Sequence, residues 1–332
     1  MPIDYCRIEG GNFGDDLNRT LWHRLFPDID QLSKEISVVG IGTILSGKPA
    51  AKTRRVVLGS GARGPNIQLN NNNSDIRWVR GPQSARAVGV APYLGIGDPA
   101  WLYSDLYDAF DTDRSGAIGF IPHWATWRSF DWEKVAANAG LTGIDARLSP
   151  AQVMHKMRSC SRILTESLHG AVFADAMGIP WAPAILAHRF NRFKWEDWCA
   201  SIHRRFDPFV TDRALVDSVA PVKSIANRIA KKINFKAVER PPALRPVKAS
   251  SADDAEQVAA QLAMYCADDA HFFFSNPLLV KMQKEKMLAI CAWFANDYGL
   301  AFRPDNSPPL FHVNRREIKP HFTHNNNNYV WD

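Results

Sequence analysis

Paired cysteines are missing from this 332-residue chain. Cys6, Cys160, Cys199, Cys266 and Cys291 are odd in number and scattered, with no C-x-x-C spacing. Neither a disulfide framework nor a bound zinc or other metal is expected from them. Long apolar runs are missing too, since none approaches the roughly 20 residues that a membrane-crossing helix needs. Met1 to Gly14 lacks a basic, apolar leader, so a cytoplasmic setting is the expectation, with peripheral attachment to the inner face of the membrane left open. The third shortage is of sustained positive charge. The formal net charge is +6, but the basic stretch from His188 to Lys194 is short and followed by acids, and Arg228, Lys231, Lys232 and Lys236 fit the polar face of one helix. Nucleic acid is therefore not the expected partner; a small phosphorylated anion suits the charge better.

What is present is ordinary for a globular protein: 46% hydrophobic residues and 22% charged ones. The length exceeds one comfortable core. Short apolar runs ending in glycine or polar turns predict strands at Ile36 to Ile41, Val56 to Leu58, Ile76 to Val79, Ala117 to Ile121 and Ile163-Leu164. Helical patterns alternate with them at Leu17 to Leu25, Pro82 to Val88, Trp132 to Ala139, Pro150 to Ser159 and Gly170 to Met177. That alternation predicts an α/β protein with parallel sheets. The polar segment Leu106 to Gly116 marks a hinge, which divides the chain into residues 1–112, 113–210 and a helical extension, 211–332, with patterns at Ala214 to Ile233, Asp253 to Ala267 and Leu278 to Tyr298 around Pro241-Pro242. The asparagine runs Asn70 to Asn73 and Asn325 to Asn328 read as exposed loop and terminus.

Chemistry concentrates at a few turns. Ser167, His169 and Gly170 open an alanine-rich helix directly after the strand at Ile163-Leu164. Unpaired N–H groups at a helix start favour an anion, and a histidine among them can also move a proton. Asn12, Asp15, Asp16 and Asn18 surround Gly14 before another helix; one acid suffices for a cap, leaving polar groups for sugar hydroxyls. Gly59-Ser60-Gly61-Ala62-Arg63-Gly64 has dinucleotide-loop spacing, but Pro65 follows and no ribose-binding acid stands twenty residues on, so a strand-end turn is the better reading. Asp111 to Pro122 begins like a calcium loop and lacks its final glutamate, which leaves a polar hinge. Arg80 and His123 each follow a strand, where ligands of open α/β sheets gather. Aromatics interleaved with bases from His188 to Trp198 could wall a sugar site or stack nucleotides.

Taken in order, Asn12-Phe-Gly-Asp-Asp-Leu-Asn18, Gly40-Ile-Gly-Thr43, Leu58-Gly-Ser-Gly61, Val79-Arg-Gly-Pro82, Phe120-Ile-Pro-His-Trp124, Glu166-Ser-Leu-His-Gly170 and Phe193-Lys-Trp-Glu-Asp-Trp198 resemble the polysaccharide pyruvyltransferase family, and within it the succinoglycan-type ketal pyruvyltransferases. The resemblance covers residues 5 to 203. It implies two Rossmann-like domains facing across a cleft in a glycosyltransferase-B-like arrangement, the first on the acceptor side and the second on the donor side. It also implies phosphoenolpyruvate as donor, a saccharide of a polysaccharide or its lipid-linked precursor as acceptor, and no metal or other cofactor. Many relatives carry a donor-binding arginine where this chain has Ser167, so Arg80, Lys194 and Arg162 become the candidate donor cations, beside Ser167, His169, Gly170 and His123. Asn12, Asp15, Asp16, Asn18, Gly59, Ser60 and Gly61 are the acceptor-side candidates. His169 is the expected acid or phosphate contact, and Asp15, Asp16 or Glu166 the expected base. A nucleotide-sugar glycosyltransferase on the same scaffold is the rival reading, since a fold does not fix a donor.

Overall fold

Aliphatic and β-branched residues on both faces mark a strand covered from two sides, and the apolar runs of this chain form such strands in two separate parallel sheets. The computed structural model describes residues 2–45, 54–67, 73–104, 116–218, 244 and 248–304. The first sheet has the order β1 (Ile3–Asp4), β2 (Ile36–Val39), β3 (Arg54–Leu58), β4 (Ser74–Trp78). The second has β6 (Thr142–Gly143), β5 (Ile118–Ile121), β7 (Arg162–Thr165), β8 (Trp181–Ile185), β9 (Phe209–Val210). Every strand pair in both sheets is parallel. Parallel neighbours need crossovers, and helices stand in those from β1 to β2 and from β5 through β9. This is an α/β protein with two parallel sheets, consistent with two Rossmann-like domains, followed by C-terminal helices.

The helices are α1 (Phe13–Asp16), α2 (Leu21–Leu25), α3 (Pro82–Val88), α4 (Trp101–Ser104), α5 (Trp124–Trp127), α6 (Trp132–Asn138), α7 (Pro150–Arg158), α8 (Leu168–Ala176), α9 (Arg192–Ser201), α10 (Ala252–Cys266) and α11 (Pro277–Tyr298). Start signals in the sequence explain several of them. Ser149 and Gln152 form a capping box on α7, Ser251 and Asp254 form one on α10, and Pro82, Pro150 and Pro277 occupy first-turn positions that spare a hydrogen bond.

One apolar cluster joins elements of both sheets. It runs from Leu17, Trp22 and Phe26 through Trp101, Phe173, Trp181 and Trp198 to Ile290 and Phe294. Helix α11 starts against the second sheet, where Phe273 bridges Trp181 and the Ser275 N–H donates to Asp175 Oδ1 at 2.8 Å. It ends against the first, with Phe294 edge-on to Phe26, Asp297 paired to Arg77 at 2.7 Å and the Tyr298 hydroxyl donating to Asp75 at 3.3 Å. At about 1.5 Å per residue, its 22 residues span roughly 33 Å. Helix α10 instead covers α6 of the second sheet, within a separate core of Trp132, Val135, Val258 and Leu262.

Several expectations need revision here. Of the aromatics of 188–198, Trp195 and Trp198 lie in α9 fully buried against Trp181, Phe190 and Phe206 and so offer no face to a ligand, while Phe193 is half-buried. Residues 214–218 carry no helix. The remainder of that pattern, with Arg228, Lys231, Lys232, Lys236 and Pro241-Pro242, lies outside the described residues. So do Leu106 to Ser115 of the hinge, the calcium-like positions Asp111 to Ser115, and the asparagines 70–72 and 325–328.

Candidate active site

The carboxyl ends of both sheets converge on α8. After β7 the Thr165 hydroxyl donates to the Ile121 carbonyl at 3.0 Å and accepts the Ser167 N–H at 2.9 Å, which turns the chain into the helix. Gly170 is needed in the first turn, because a Cβ there would press on Thr165 Oγ1. Ser167 stands at the N-cap but makes no side-chain capping bond. The first-turn N–H groups of α8 are thus left without a side-chain cap and suit an anion.

Glu166 is buried and both its oxygens are engaged. Oε2 accepts the His123 N–H and Oε1 the Leu186 N–H, each at 3.1 Å. Burial pushes its carboxyl up, and bonds from Thr126, His123 and Leu186 oppose that. Its role is to stitch the ends of β5 and β8. His123 caps α5, Nδ1 accepting the Ala125 N–H at 3.3 Å; burial, then Lys194 and His169, hold its imidazole well below the ordinary range.

From the first sheet comes the loop around Gly14. Asn12 Nδ2 donates to Asp15 Oδ2 at 2.7 Å, and the Asn12 N–H donates to Asp16 Oδ2 at 3.2 Å. Asn18 differs from its expected acceptor role: it is buried, with Nδ2 donating to the carbonyls of Asp15 and Ile41 and Oδ1 accepting from Trp22 Nε1 and the Ile41 N–H. It pins the loop to β2. Gly59, Ser60 and Gly61 are likewise used internally. Ser60 is buried with its hydroxyl donating to the Gly42 carbonyl at 3.2 Å, and side chains at 59 and 61 would strike Pro99 and the Arg80 guanidinium.

Two of the candidate cations are also placed otherwise than expected. Arg80 is 1% exposed, its Nε donating to Asp197 Oδ2 at 3.2 Å, NH1 to Thr43 Oγ1 at 2.8 Å and NH2 to the Ala62 carbonyl at 3.3 Å. With its fork occupied it acts on the site through its charge. Arg162 begins β7, at the opposite end of the strand from Ser167, where it pairs with Asp269 and lies over Phe272.

Lys194 remains. Asn191 caps α9 by accepting the Lys194 N–H at 3.3 Å, which fixes this turn of helix. Lys194 is half-buried as a residue, and its ammonium has Asp15, Glu166, His123, His169, Arg80 and Arg63 within electrostatic reach. Burial, then Arg80, lowers Lys194 to about 8, with Asp15 and Glu166 pulling the other way. Burial raises Asp15 to about 7, opposed by Lys194 and Asn12. For His169, burial, then Lys194 and Arg80, brings the imidazole down to about 3. Its ring keeps 12% exposure and lies edge-on to Phe13.

Sequence reasoning missed Asp98. This carboxylate is fully buried in the loop before α4, with Oδ1 accepting the Ala100 N–H at 3.0 Å and Oδ2 lying 3.7 Å from His169 Nε2. The signal available was a lone acid inside the apolar run Ile96-Gly97-Asp98-Pro99-Ala100-Trp101.

Gly14 gives a direct test of how closely the two sheets' loops meet. A Cβ at residue 14 would overlap the His169 ring. Gly14→Ala is expected to lower stability by about 1–3 kcal/mol, as overpacking does, and to displace the imidazole. A reduced urea midpoint together with shifted His169 ring signals in NMR would show this; unchanged ring signals would contradict the contact.

Among the described residues no cluster of metal-ligand type occurs, and no helix is long and apolar enough to cross a membrane. The family model for polysaccharide pyruvyl transferase matches residues 8–185. The succinoglycan biosynthesis protein ExoV of Rhizobium meliloti (strain 1021) is 37% identical over 211 residues, which cover 63% of this chain and 67% of that protein. No solved structure matches the chain. The match takes in more than half of the sequence, including β2 to β8 and the Ser167 corner: the chain belongs to the polysaccharide pyruvyl transferase family and is a transferase.

Proposed function

We propose that the protein moves the enolpyruvyl group of phosphoenolpyruvate onto two hydroxyls of one sugar in a polysaccharide or its lipid-linked precursor, closing a cyclic pyruvate ketal and releasing phosphate. The two α/β units then face one another across a cleft in a glycosyltransferase-B-like way, acceptor on the first and donor on the second. The observation that carries the reading is the gathering of Lys194, the uncapped start of α8, His169 and Asp15 where the carboxyl ends of the sheets meet. A small dianion needs that cation and those N–H groups. The reaction needs an acid and a base beside them.

His169 donates a proton to the methylene carbon, which leaves a cation-like centre at the carbon bearing phosphate. Asp15 takes the proton of the first sugar hydroxyl as it adds there. The second hydroxyl displaces phosphate and passes its proton to the now neutral His169, while Lys194 and the Ser167–Gly170 turn hold the charge of the departing phosphate. Proximity of the bound donor dianion raises the imidazole from its low value, because a nearby negative charge favours the protonated ring. Asn12 and Asp16 border Asp15 and serve the acceptor side.

Protonation states set a pH window. Asp15 works ionised, so activity rises as pH passes about 7; Lys194 works charged, so activity falls as pH passes about 8. With the imidazole protonated by the bound donor, the expected kcat profile is a bell, the two limbs belonging to the coupled cluster. Lys194→Arg should move the alkaline limb beyond pH 9, and an unmoved limb would remove Lys194 from the assignment.

The deciding experiment incubates the protein with phosphoenolpyruvate and a panel of hexosides and lipid-linked saccharides, following phosphate release and product mass. A product heavier by the pyruvate ketal supports the proposal. Uptake of a nucleotide diphosphate sugar, with no response to phosphoenolpyruvate, would replace it by glycosyl transfer.

A further inference from the structure

Asp98 and His169 come from opposite units, yet each presents a buried polar atom to the other. Asp98 Oδ2 and His169 Nε2 are both buried, find no hydrogen-bond partner among the described residues, and lie 3.7 Å apart. Unsatisfied buried groups of this kind are costly, at about 1–3 kcal/mol each. Two that face each other need a reason.

The surroundings restrict how the pair can be arranged. Asp98 cannot swing freely, because Oδ1 is tied to the Ala100 N–H and Pro99 follows it. Gly97 beside it has φ +155 and packs against Met287 of α11 and Trp101, so the loop is braced from below. The imidazole is wedged between Gly14 and the edge of Phe13. Its Nε2 edge points inward at Asp98, whereas Nδ1, the ring atom nearest Gly14, is the nitrogen on the side of the ring that keeps its exposure.

We propose that Asp98 is a positioning residue for His169: its Oδ2 accepts the Nε2 proton, so that Nδ1 is the nitrogen turned to the substrate, and its charge stabilises the imidazolium once donor is bound. Which ring nitrogen carries the proton is set by the partner of the other one. The separation closes to hydrogen-bond length on donor binding, as such contacts commonly do. When the Nδ1 proton has passed to the methylene carbon, the neutral ring is left with its remaining proton on Nε2, facing Asp98. The catalytic consequence rests on the proposed ketal transfer; the tautomer assignment does not.

Asp98→Asn is the informative variant. The Ala100 N–H still needs an oxygen acceptor at the Oδ1 position, so the new amide nitrogen faces His169 as a donor and forces the proton onto Nδ1. Nitrogen-detected NMR of the histidine rings in the full-length protein is expected to show the Nε2–H tautomer of His169 in the wild type and the Nδ1–H tautomer in the variant, without any substrate. In the ketal assay kcat is expected to fall about a hundred-fold or more, with KM for phosphoenolpyruvate little changed. The double variant Asp98→Asn/His169→Ala should be no slower than His169→Ala alone, since the two act as one unit. An identical tautomer in wild type and variant would overturn the proposal, as would single losses that multiply in the double variant. If the wild type turns over no phosphoenolpyruvate, the ketal reading falls while the NMR comparison still decides the pairing.

Discussion

Asp197→Ala is expected to lower folding stability by about 3–5 kcal/mol, the usual effect of stranding one partner of a buried ion pair. Asp197 is fully buried in α9, yet its partners belong to the first unit, just after β4 and in α3: Arg80 Nε at 3.2 Å, the Ser84 hydroxyl at 2.5 Å and the Ser84 N–H at 2.7 Å. Gly81, at the start of α3, permits the approach, because a Cβ there would strike the Asp197 carbonyl. Deleting the carboxylate leaves a guanidinium in the interior, with only Thr43 and the Ala62 carbonyl to satisfy it. Urea unfolding followed by tryptophan fluorescence measures the loss, since Trp195 and Trp198 flank the site of change. Arg80→Met combined with Asp197→Leu should restore a large part of the stability, for a buried pair replaced by apolar residues is often neutral. A midpoint for Asp197→Ala within error of wild type would show that α9 is held to the first unit by its aromatic packing alone.

The second large effect concerns turnover. Under the proposed reaction, His169→Ala is expected to reduce kcat by about a hundred-fold to ten-thousand-fold, the range for removal of a positioned proton donor. Stability should change far less, because the ring keeps an exposed edge and its Nε2 already lacks a hydrogen bond. A rise in KM for phosphoenolpyruvate at unchanged kcat would instead make the ring a phosphate contact with no part in proton transfer. Near-normal turnover would dismiss it from the chemistry altogether.

Much of the architecture could be read from local patterns, because strands covered on both faces announce themselves as apolar runs and helices by their first-turn residues. The runs at 36–41, 56–58, 76–79, 117–121 and 163–164 correspond to β2, β3, β4, β5 and β7. Strand β8 was hidden by Pro183, which argues against a central strand and here sits opposite Thr165 in the parallel pairing. Strands β1, β6 and β9, of two residues each, are too short for any periodicity. Helix α9 was masked because its aromatic and basic residues suggested a ligand wall, whereas two tryptophans turn into the core.

The site was legible in part for a similar reason. Strand-end turns draw attention to His169, His123 and Asp15, but a sequence does not say which polar side chains are consumed by their own neighbours. Arg80 and Asn18 carry the right chemistry for a ligand and spend it on Asp197, Thr43, Trp22 and backbone carbonyls. Asp98 showed the converse: an unremarkable acid in an apolar stretch comes within 3.7 Å of His169 only through tertiary contact.

Helix α11 also sets an order of events during synthesis. The first unit leaves the ribosome with Phe26, Arg77 and Asp75 awaiting partners near residues 294–298, which are made more than two hundred residues later. Until they emerge, an apolar flank of the first unit stands open to solvent and to chaperones. Maturation of this chain therefore cannot proceed strictly from front to back: its first unit is finished only after its last described helix is made.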